Sequence, residues 1–175
     1  MIRKRLKFAQ VCQIVAGGIP GVPYIIFGPP GTGKTVTVVE AIKQIVKHRD
    51  GSRVLACAPS NAAADVLARR IQENIPGGKN QVLRYYAPSR DESKVEEVLN
   101  AVSNFMRPTE TLDQVKAFKV VVMTLVSSSR LSLAKVAKGH FTHVFVDESG
   151  HATEPEALIP ISGLMDKAGE NVFYM

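Results

Sequence analysis

Cysteine is scarce in this chain. Cys12 and Cys57 are the only two among 175 residues, and neither their number nor their spacing suits a disulfide framework or a zinc site, so a reducing compartment is expected. Both are expected as small core residues. Long apolar runs are missing as well. No stretch approaches the roughly 18 uninterrupted apolar residues that a spanning helix needs, and the basic opening MIRKRLKF has no apolar region with a cleavage site behind it. A soluble, intracellular, cytoplasmic chain with no membrane partner is expected. Neither an internal repeat nor a low-complexity tract occurs. Acidic residues are outnumbered, with 16 Asp and Glu against 22 Lys and Arg, a formal charge of +6. Such a balance favours polyanionic partners without specifying nucleic acid.

What is present is an alternation of short apolar runs with helical periodicities. At 45% hydrophobic, the chain suffices for one packed domain and is short for two, so 1–175 is read as a single globular domain with 1–20 as a helical lead-in. Apolar residues from Leu6 to Val15 keep helical spacing and stop at Gly17-Gly18. VPYIIFG, from Val22, reads as a buried strand. Val36, Val39, Ala41, Ile42, Ile45 and Val46 then share one helical face, ending at Asp50-Gly51. RVLACA, from Arg53, is a second strand, and the alanine-rich AAADVLARRI is a helix that stops before Pro76-Gly77-Gly78. QVLRY is a candidate third strand. Val95, Val98, Leu99, Val102, Phe105 and Met106 recur at three and four residues, which predicts one amphipathic helix with Asp91, Glu92, Glu96 and Glu97 solvated. KVVVMT and HVFVDE are further apolar runs, and a helix is expected between Glu154 and Met165.

Strands that are apolar throughout belong to parallel sheets covered by helices on both faces, and their alternation with helices gives the α/β class. Ligands in such folds gather at the carboxyl ends of strands. Gly28 to Thr35, Pro59 to Asn61, Thr124 to Ser129 and Asp147 to His151 should therefore line one edge. The oligomeric state is not legible, although an open sheet edge near Met175 would offer a place for self-association.

The stretch GPPGTGKT, Gly28 to Thr35, satisfies G-x-x-x-x-G-K-[ST] between a strand and a helix. Its residues Gly28, Pro29, Pro30, Gly31, Thr32, Gly33, Lys34 and Thr35 are candidates for cradling a nucleotide's phosphates. Consecutive backbone N–H groups must curl around phosphate oxygens, and glycine reaches the required dihedrals without a Cβ clash. The helix N-terminus adds partial positive charge. Lys34 would lie against the outer phosphates and the Thr35 hydroxyl would help hold Mg²⁺. HVFVDESG supplies the metal's second anchor. Asp147 leaves an apolar strand, where a carboxylate is costly to bury unless paired or near a cation, and a Mg²⁺ ion beside Thr35 meets that need. Glu148 should point to the other side. Ionised at neutral pH, with a reference pKa of about 4.3, it is placed to orient and deprotonate an attacking water. Lys34, Asp147 and Glu148 are the catalytic candidates. His151 reads equally well as a surface or capping residue.

The phosphate loop is common to several ATPase groups, the AAA+ machines among them, and does not choose between them. In AAA+ domains the acidic strand follows the loop by roughly half the interval seen here, without an APSN turn. Here CAPSNAAADVLARRI and VVMTLVSSSRL intervene. With FTHVFVDESGHATEPEALIPISGL they resemble superfamily 1 helicases of the up-frameshift-like group, most closely the Armitage-type RNA helicases of small-RNA silencing, over most of Val22 to Met165. The resemblance implies a RecA-like first motor lobe, ATP and Mg²⁺ as cofactors, 5′ to 3′ movement on single-stranded RNA, silencing-complex proteins as partners, and a cytoplasmic setting that includes ribonucleoprotein granules. By position, Pro59, Ser60 and Asn61 match the family's motif that touches the nucleic-acid backbone, and Thr124, with Ser127 and Ser128, matches the next. Hydroxyls, an amide and free N–H groups at helix starts suit phosphate oxygens of any sequence. The residues alone read equally as N-caps at Ser60, Asn61 and Ser127 to Ser129.

Three departures accompany the resemblance. The glutamine that reads adenine in the family has Gln10 and Gln13 nearby, both out of register. Ser149 stands where the family's acidic motif has alanine, a tolerable change. The chain ends at ENVFYM, ahead of the GDP-x-QL motif and the second lobe with its arginine fingers. A finger supplies about 10³ to 10⁵ in rate, so nucleotide binding, feeble hydrolysis and no unwinding are expected of these residues alone. A truncated, non-catalytic RNA-binding or adaptor module and a DNA helicase of the same superfamily are the alternatives.

Overall fold

Val54 to Ala58 carries no polar side chain because helices cover both sides of the sheet in which it lies. In a computed structural model, which describes residues 2–16, 22–29, 31–75, 81–106, 115–165 and 171–174, six strands form one sheet. They are β1 (Tyr24–Ile25), β2 (Val54–Ala58), β3 (Val82–Arg84), β4 (Val120–Thr124), β5 (His143–Val146) and β6 (Asn171–Tyr174). Their order is β1-β6-β5-β2-β4-β3, and every pairing is parallel. The expected α/β architecture is the one observed.

The pleat sends alternate residues of each strand to opposite faces. Val54, Ala56 and Ala58 of β2, with Val120 and Val122 of β4, pack in one core cluster with residues of α1 (Ile2–Ala16), α2 (Lys34–His48) and α3 (Asn61–Asn74). Leu55 and Cys57, with Val121, Met123, Val144 and Val146, pack in a second cluster. That cluster includes Leu125 and Leu131 of α5 (Leu125–Leu133), and α6 (Glu154–Ser162) packs against α5 on the same side. Each large aliphatic side chain buried this way contributes about 1.5–3 kcal/mol. α1 and α2 also meet through the Arg49 guanidinium, which donates to the Val15 carbonyl at the end of α1.

Three expectations need correction. The periodicity from Val95 to Met106 is not one helix: a 3₁₀ turn at Glu92–Lys94, a four-residue α4 (Glu97–Asn100) and a second 3₁₀ turn at Asn104–Met106 replace it. The backbone there is drawn to β3 instead. The Arg84 amide donates to the Val102 carbonyl at 2.8 Å, and the Asn104 side chain accepts from the Tyr86 amide at 2.6 Å and donates to the Tyr86 carbonyl at 3.2 Å. The segment before Met175 is no sheet edge, because β6 pairs with β1 on one side and β5 on the other; the edges are β1 and β3. Of the cysteines, Cys57 is buried and Cys12 is exposed. Gly17-Gly18, Pro76-Gly77-Gly78 and Pro30 lie outside the described residues. Among the described residues no helix is long and apolar enough to cross a membrane.

His143 enters the sheet at the start of β5 with 2% exposure, its Nδ1 lying 2.8 Å from the Thr142 hydroxyl. Burial, seconded by the Arg49 charge, pushes its pKa down to about 4. The unfolded chain then takes up the proton near the ordinary value of 6.5 while the folded chain refuses it. Stability from this group is therefore full above about 6.5 and declines as pH falls toward 4, by up to about 3 kcal/mol. Urea titrations across that range should show a steeper decline for the native chain than for His143→Gln, and equal slopes would refute the assignment.

Candidate functional site

All four polar clusters follow strand ends on the same edge, because parallel pairing puts every carboxyl end on one side. The register sets Ile25 beside Tyr174 and Tyr174 beside Val146, then Val146 beside Cys57, and Ala58 beside Thr124. Gly28, Asp147, Pro59 and Thr124 thus leave the sheet at neighbouring points along that edge.

Two glycines turn the loop after β1. Gly31 has φ 76° and Gly33 φ 84°, conformations that side chains of L-residues resist. A Cβ on Gly28 would lie 2.8 Å from the Thr32 hydroxyl oxygen, and that hydroxyl donates to the Pro29 carbonyl at 2.8 Å. Gly33 is also the N-cap of α2, with no side chain to accept from the first-turn amides. In contrast, Ser60 caps α3 by accepting from the Ala63 amide at 3.1 Å, and Thr124 caps α5 by accepting from the Ser127 amide at 3.3 Å. The donors of the first turn of α2 remain available to an anion. The Lys34 ammonium folds over the loop and donates to the Gly28 carbonyl at 2.6 Å and the Pro29 carbonyl at 3.4 Å. These are neutral acceptors, which phosphate oxygens outcompete.

Asp147 extends the ladder one residue past β5, its amide donating to the Cys57 carbonyl at 2.8 Å. It is 5% exposed, and one carboxylate oxygen accepts from the Glu148 amide at 2.8 Å. Burial pushes its pKa up, with the Glu148 charge adding to the effect. The Glu148 amide, the nearby Thr35 hydroxyl and the Arg70 charge oppose it. The Thr35 contact brings the start of α2 and the end of β5 together, although 111 residues (36–146) lie between them. A hydroxyl beside a buried carboxylate whose charge is undercompensated is a hard-oxygen pair suited to a divalent cation.

Glu148 follows with φ 54° and ψ 36°, a left-handed conformation that costs a non-glycine residue about 1–3 kcal/mol. Its side chain is exposed. His151 closes that 3₁₀ turn, its amide donating to the Glu148 carbonyl at 2.9 Å, and is exposed.

The second group of predicted residues divides. Ser60 is exposed, and Pro59, Asn61, Thr124 and Ser127 are half-buried. The Thr124 hydroxyl donates to that of Ser127 at 2.8 Å. Capping and exposure coexist at Ser60. The cap of α5 is Thr124, whereas Ser127 to Ser129 stand inside the helix. Ser128 is a correction: it has no exposed surface, and its hydroxyl donates to the Leu125 carbonyl at 2.6 Å. Helical geometry turns it inward against Cys57, whose thiol burial pushes up to about 12, with Ser128 and Arg84 opposing.

One cluster went unread in the sequence. Arg84, in the middle of an apolar run, is fully buried and pairs with Asp65 of α3 at 2.7 Å. It also donates to the Tyr85 carbonyl at 2.8 Å and the Asn61 side-chain oxygen at 2.9 Å, and lies 4.0 Å over the Tyr86 ring. The Tyr86 hydroxyl donates to Asp65 at 2.8 Å. A charge inside QVLRY, together with an aspartate one turn into a helix, was the signal available.

A glycine-rich loop leading into a helix and a buried carboxylate, both at the carboxyl edge of a parallel sheet, are the arrangement of a RecA-like α/β domain. Consistent with this, the helicase domain of Pyrococcus furiosus Hef superposes with a TM-score of 0.67 over 99% of this chain and 31% of its own, at 12% identity. The chain belongs to the family described as AAA domain, which matches residues 20–107 and 106–168. It is 46% identical over 161 residues to putative helicase mov-10-B.1 of Danio rerio, and 28% identical over 191 residues to probable RNA helicase armi of Drosophila melanogaster. These alignments take in 89% and 98% of the chain and 16% of each relative. Its homologues are thus MOV-10 and Armitage-type RNA helicases, and the chain spans about a sixth of their length.

Proposed function

We propose that this chain is the first motor lobe of an ATP-dependent RNA helicase and moves 5′ to 3′ on single-stranded RNA. The nearness of the Thr35 hydroxyl to the buried Asp147 carboxylate carries the reading, because it joins the glycine-rich loop to an acidic strand end as nucleotide-dependent work requires. The backbone N–H groups from Gly31 to Thr35 bind phosphate oxygens. Lys34 leaves the Gly28 carbonyl to meet them. Thr35 and Asp147 would hold a Mg²⁺ ion, which would neutralise phosphate charge there. Glu148, exposed beside Asp147, orients the attacking water and takes its proton. Pro59, Ser60, Asn61, Thr124 and Ser127 grip the sugar-phosphate backbone at the same edge, so any sequence is accepted.

A cavity of ≈ 810 Å³ runs between α1 and α2 from Val36 and Thr37 to His48 and Arg49; its end at Val36 adjoins the start of α2 and is the proposed seat of the base. Direction of movement, silencing-complex partners and a cytoplasmic, granule-associated setting extend the motif resemblance and the relatedness to Armitage-type helicases.

The test is binding of a fluorescent ATP analogue with and without Mg²⁺, alongside RNA-stimulated phosphate release. Mg²⁺-dependent binding is expected, and its absence would overturn the motor reading. Matched RNA and DNA strands compared across a salt titration separate the RNA motor from a DNA motor. Equal or tighter DNA binding would favour the latter.

A further inference from the structure

We propose that Arg84 is a positioning residue for RNA: from inside the sheet it fixes the side-chain amide of Asn61 so that its NH₂ group is offered to phosphate. The inference rests on the RNA-motor reading and adds to it a residue that makes no RNA contact of its own.

An asparagine side chain has an accepting end and a donating end, and only the donating end attracts phosphate oxygens. A guanidinium has donors and no acceptor. The contact of 2.9 Å between Arg84 Nη2 and Asn61 Oδ1 therefore ties the oxygen inward. The Asn61 amide nitrogen is not among the buried polar atoms lacking a partner, and Asn61 is half-buried at the start of α3 beside the exposed Ser60. Its donors are left to the surface.

Arg84 can impose this orientation because it is itself held from several sides. Nε bonds Asp65 at 2.7 Å, Nη1 bonds the Tyr85 carbonyl at 2.8 Å, and the Tyr86 ring lies beneath at 4.0 Å. Phe105 stacks on Tyr86 with ring centroids 5.1 Å apart. Asp65 lies one turn beyond Asn61 on α3, so a single guanidinium clamps the turn that Ser60 caps. Lysine retains the charge but not the planar fork that reaches Asp65, Tyr85 and Asn61 together.

The test is a double-mutant cycle on the whole chain, with Arg84→Lys, Asn61→Ala and both together, read by anisotropy of a fluorescein-labelled single-stranded oligoribonucleotide. Arg84→Lys should weaken binding about tenfold, the size of one hydrogen bond to a charged group. In the Asn61→Ala background the same change should be nearly silent, and the Arg84→Lys protein should bind the ATP analogue as tightly as the native chain. Additive losses would overturn the proposal, as general loosening of the fold would produce them. Asn61→Asp decides the matter if Arg84→Lys does not fold, since its carboxylate still accepts from Arg84 but has no donor for phosphate. Its RNA affinity should fall at least about tenfold with the thermal midpoint kept; unchanged RNA affinity would sink the idea. A native chain that binds the oligoribonucleotide but gives an additive cycle removes only the Arg84 role. A native chain that does not bind removes the RNA motor and this inference together.

Discussion

Asp65→Ala is expected to lower the free energy of unfolding by about 3–5 kcal/mol, because it strands a buried guanidinium without its counter-ion. Arg84 has no exposed surface and Asp65 is 6% exposed, so water cannot replace the lost carboxylate. The Tyr86 hydroxyl loses its acceptor in the same substitution. Arg90, 3.9 Å from the other Asp65 oxygen, would be left as a second cation facing Arg84. Urea denaturation gives the measurement, and Glu96→Ala provides the contrast. Its partner Arg69 lies 3.0 Å away, but the two side chains are 45% and 39% exposed, and such a pair contributes at most about 1 kcal/mol. Replacing both buried partners, Asp65→Leu with Arg84→Met, should recover much of the loss, since desolvation of the two charges disappears with their attraction. Equal costs for Asp65→Ala and Glu96→Ala would refute the account.

The second large effect concerns turnover. Lys34→Ala and Asp147→Asn are each expected to reduce the already feeble RNA-stimulated phosphate release of this chain by roughly 10²–10³, the scale of losing one preorganised charge at a transition state. Lys34 is the one cation in GPPGTGKT. Asp147→Asn leaves the size of the side chain almost unchanged and keeps an oxygen for the Glu148 amide and the Thr35 hydroxyl. It removes only a charge that burial disfavours. The same substitution should therefore raise the thermal midpoint while it lowers activity, a divergence that general damage would not produce. An Asp147→Asn protein with native turnover would remove the metal-anchor role.

The shape of the glycine-rich loop was legible because its requirements are local: glycines where φ is positive, a lysine and threonine at the first turn, and a strand and helix on either side. The two-sided sheet was legible in the same way, since runs such as VLACA have no polar face to turn outward. Residues 95–106 misled because their apolar spacing also suits a chain that packs through turns, and hydrogen bonds to Arg84 and Tyr86 outweighed an intrinsic helical preference. Ser128 misled because a hydroxyl next to others in a motif says nothing about which side of the helix it occupies. β6 was missed because NVFY is short and its place between β1 and β5 is set by partners far along the chain.

By itself, then, the sequence determined the chemistry available at each strand end, because backbone dihedrals, charge and periodicity act over a few residues. Only the tertiary structure decided that Thr35 meets Asp147, that Arg84 turns Asn61, and that Ser128 is hidden. Those outcomes depend on sheet order and register, which bring together residues whose separation along the chain carries no record of their distance in space.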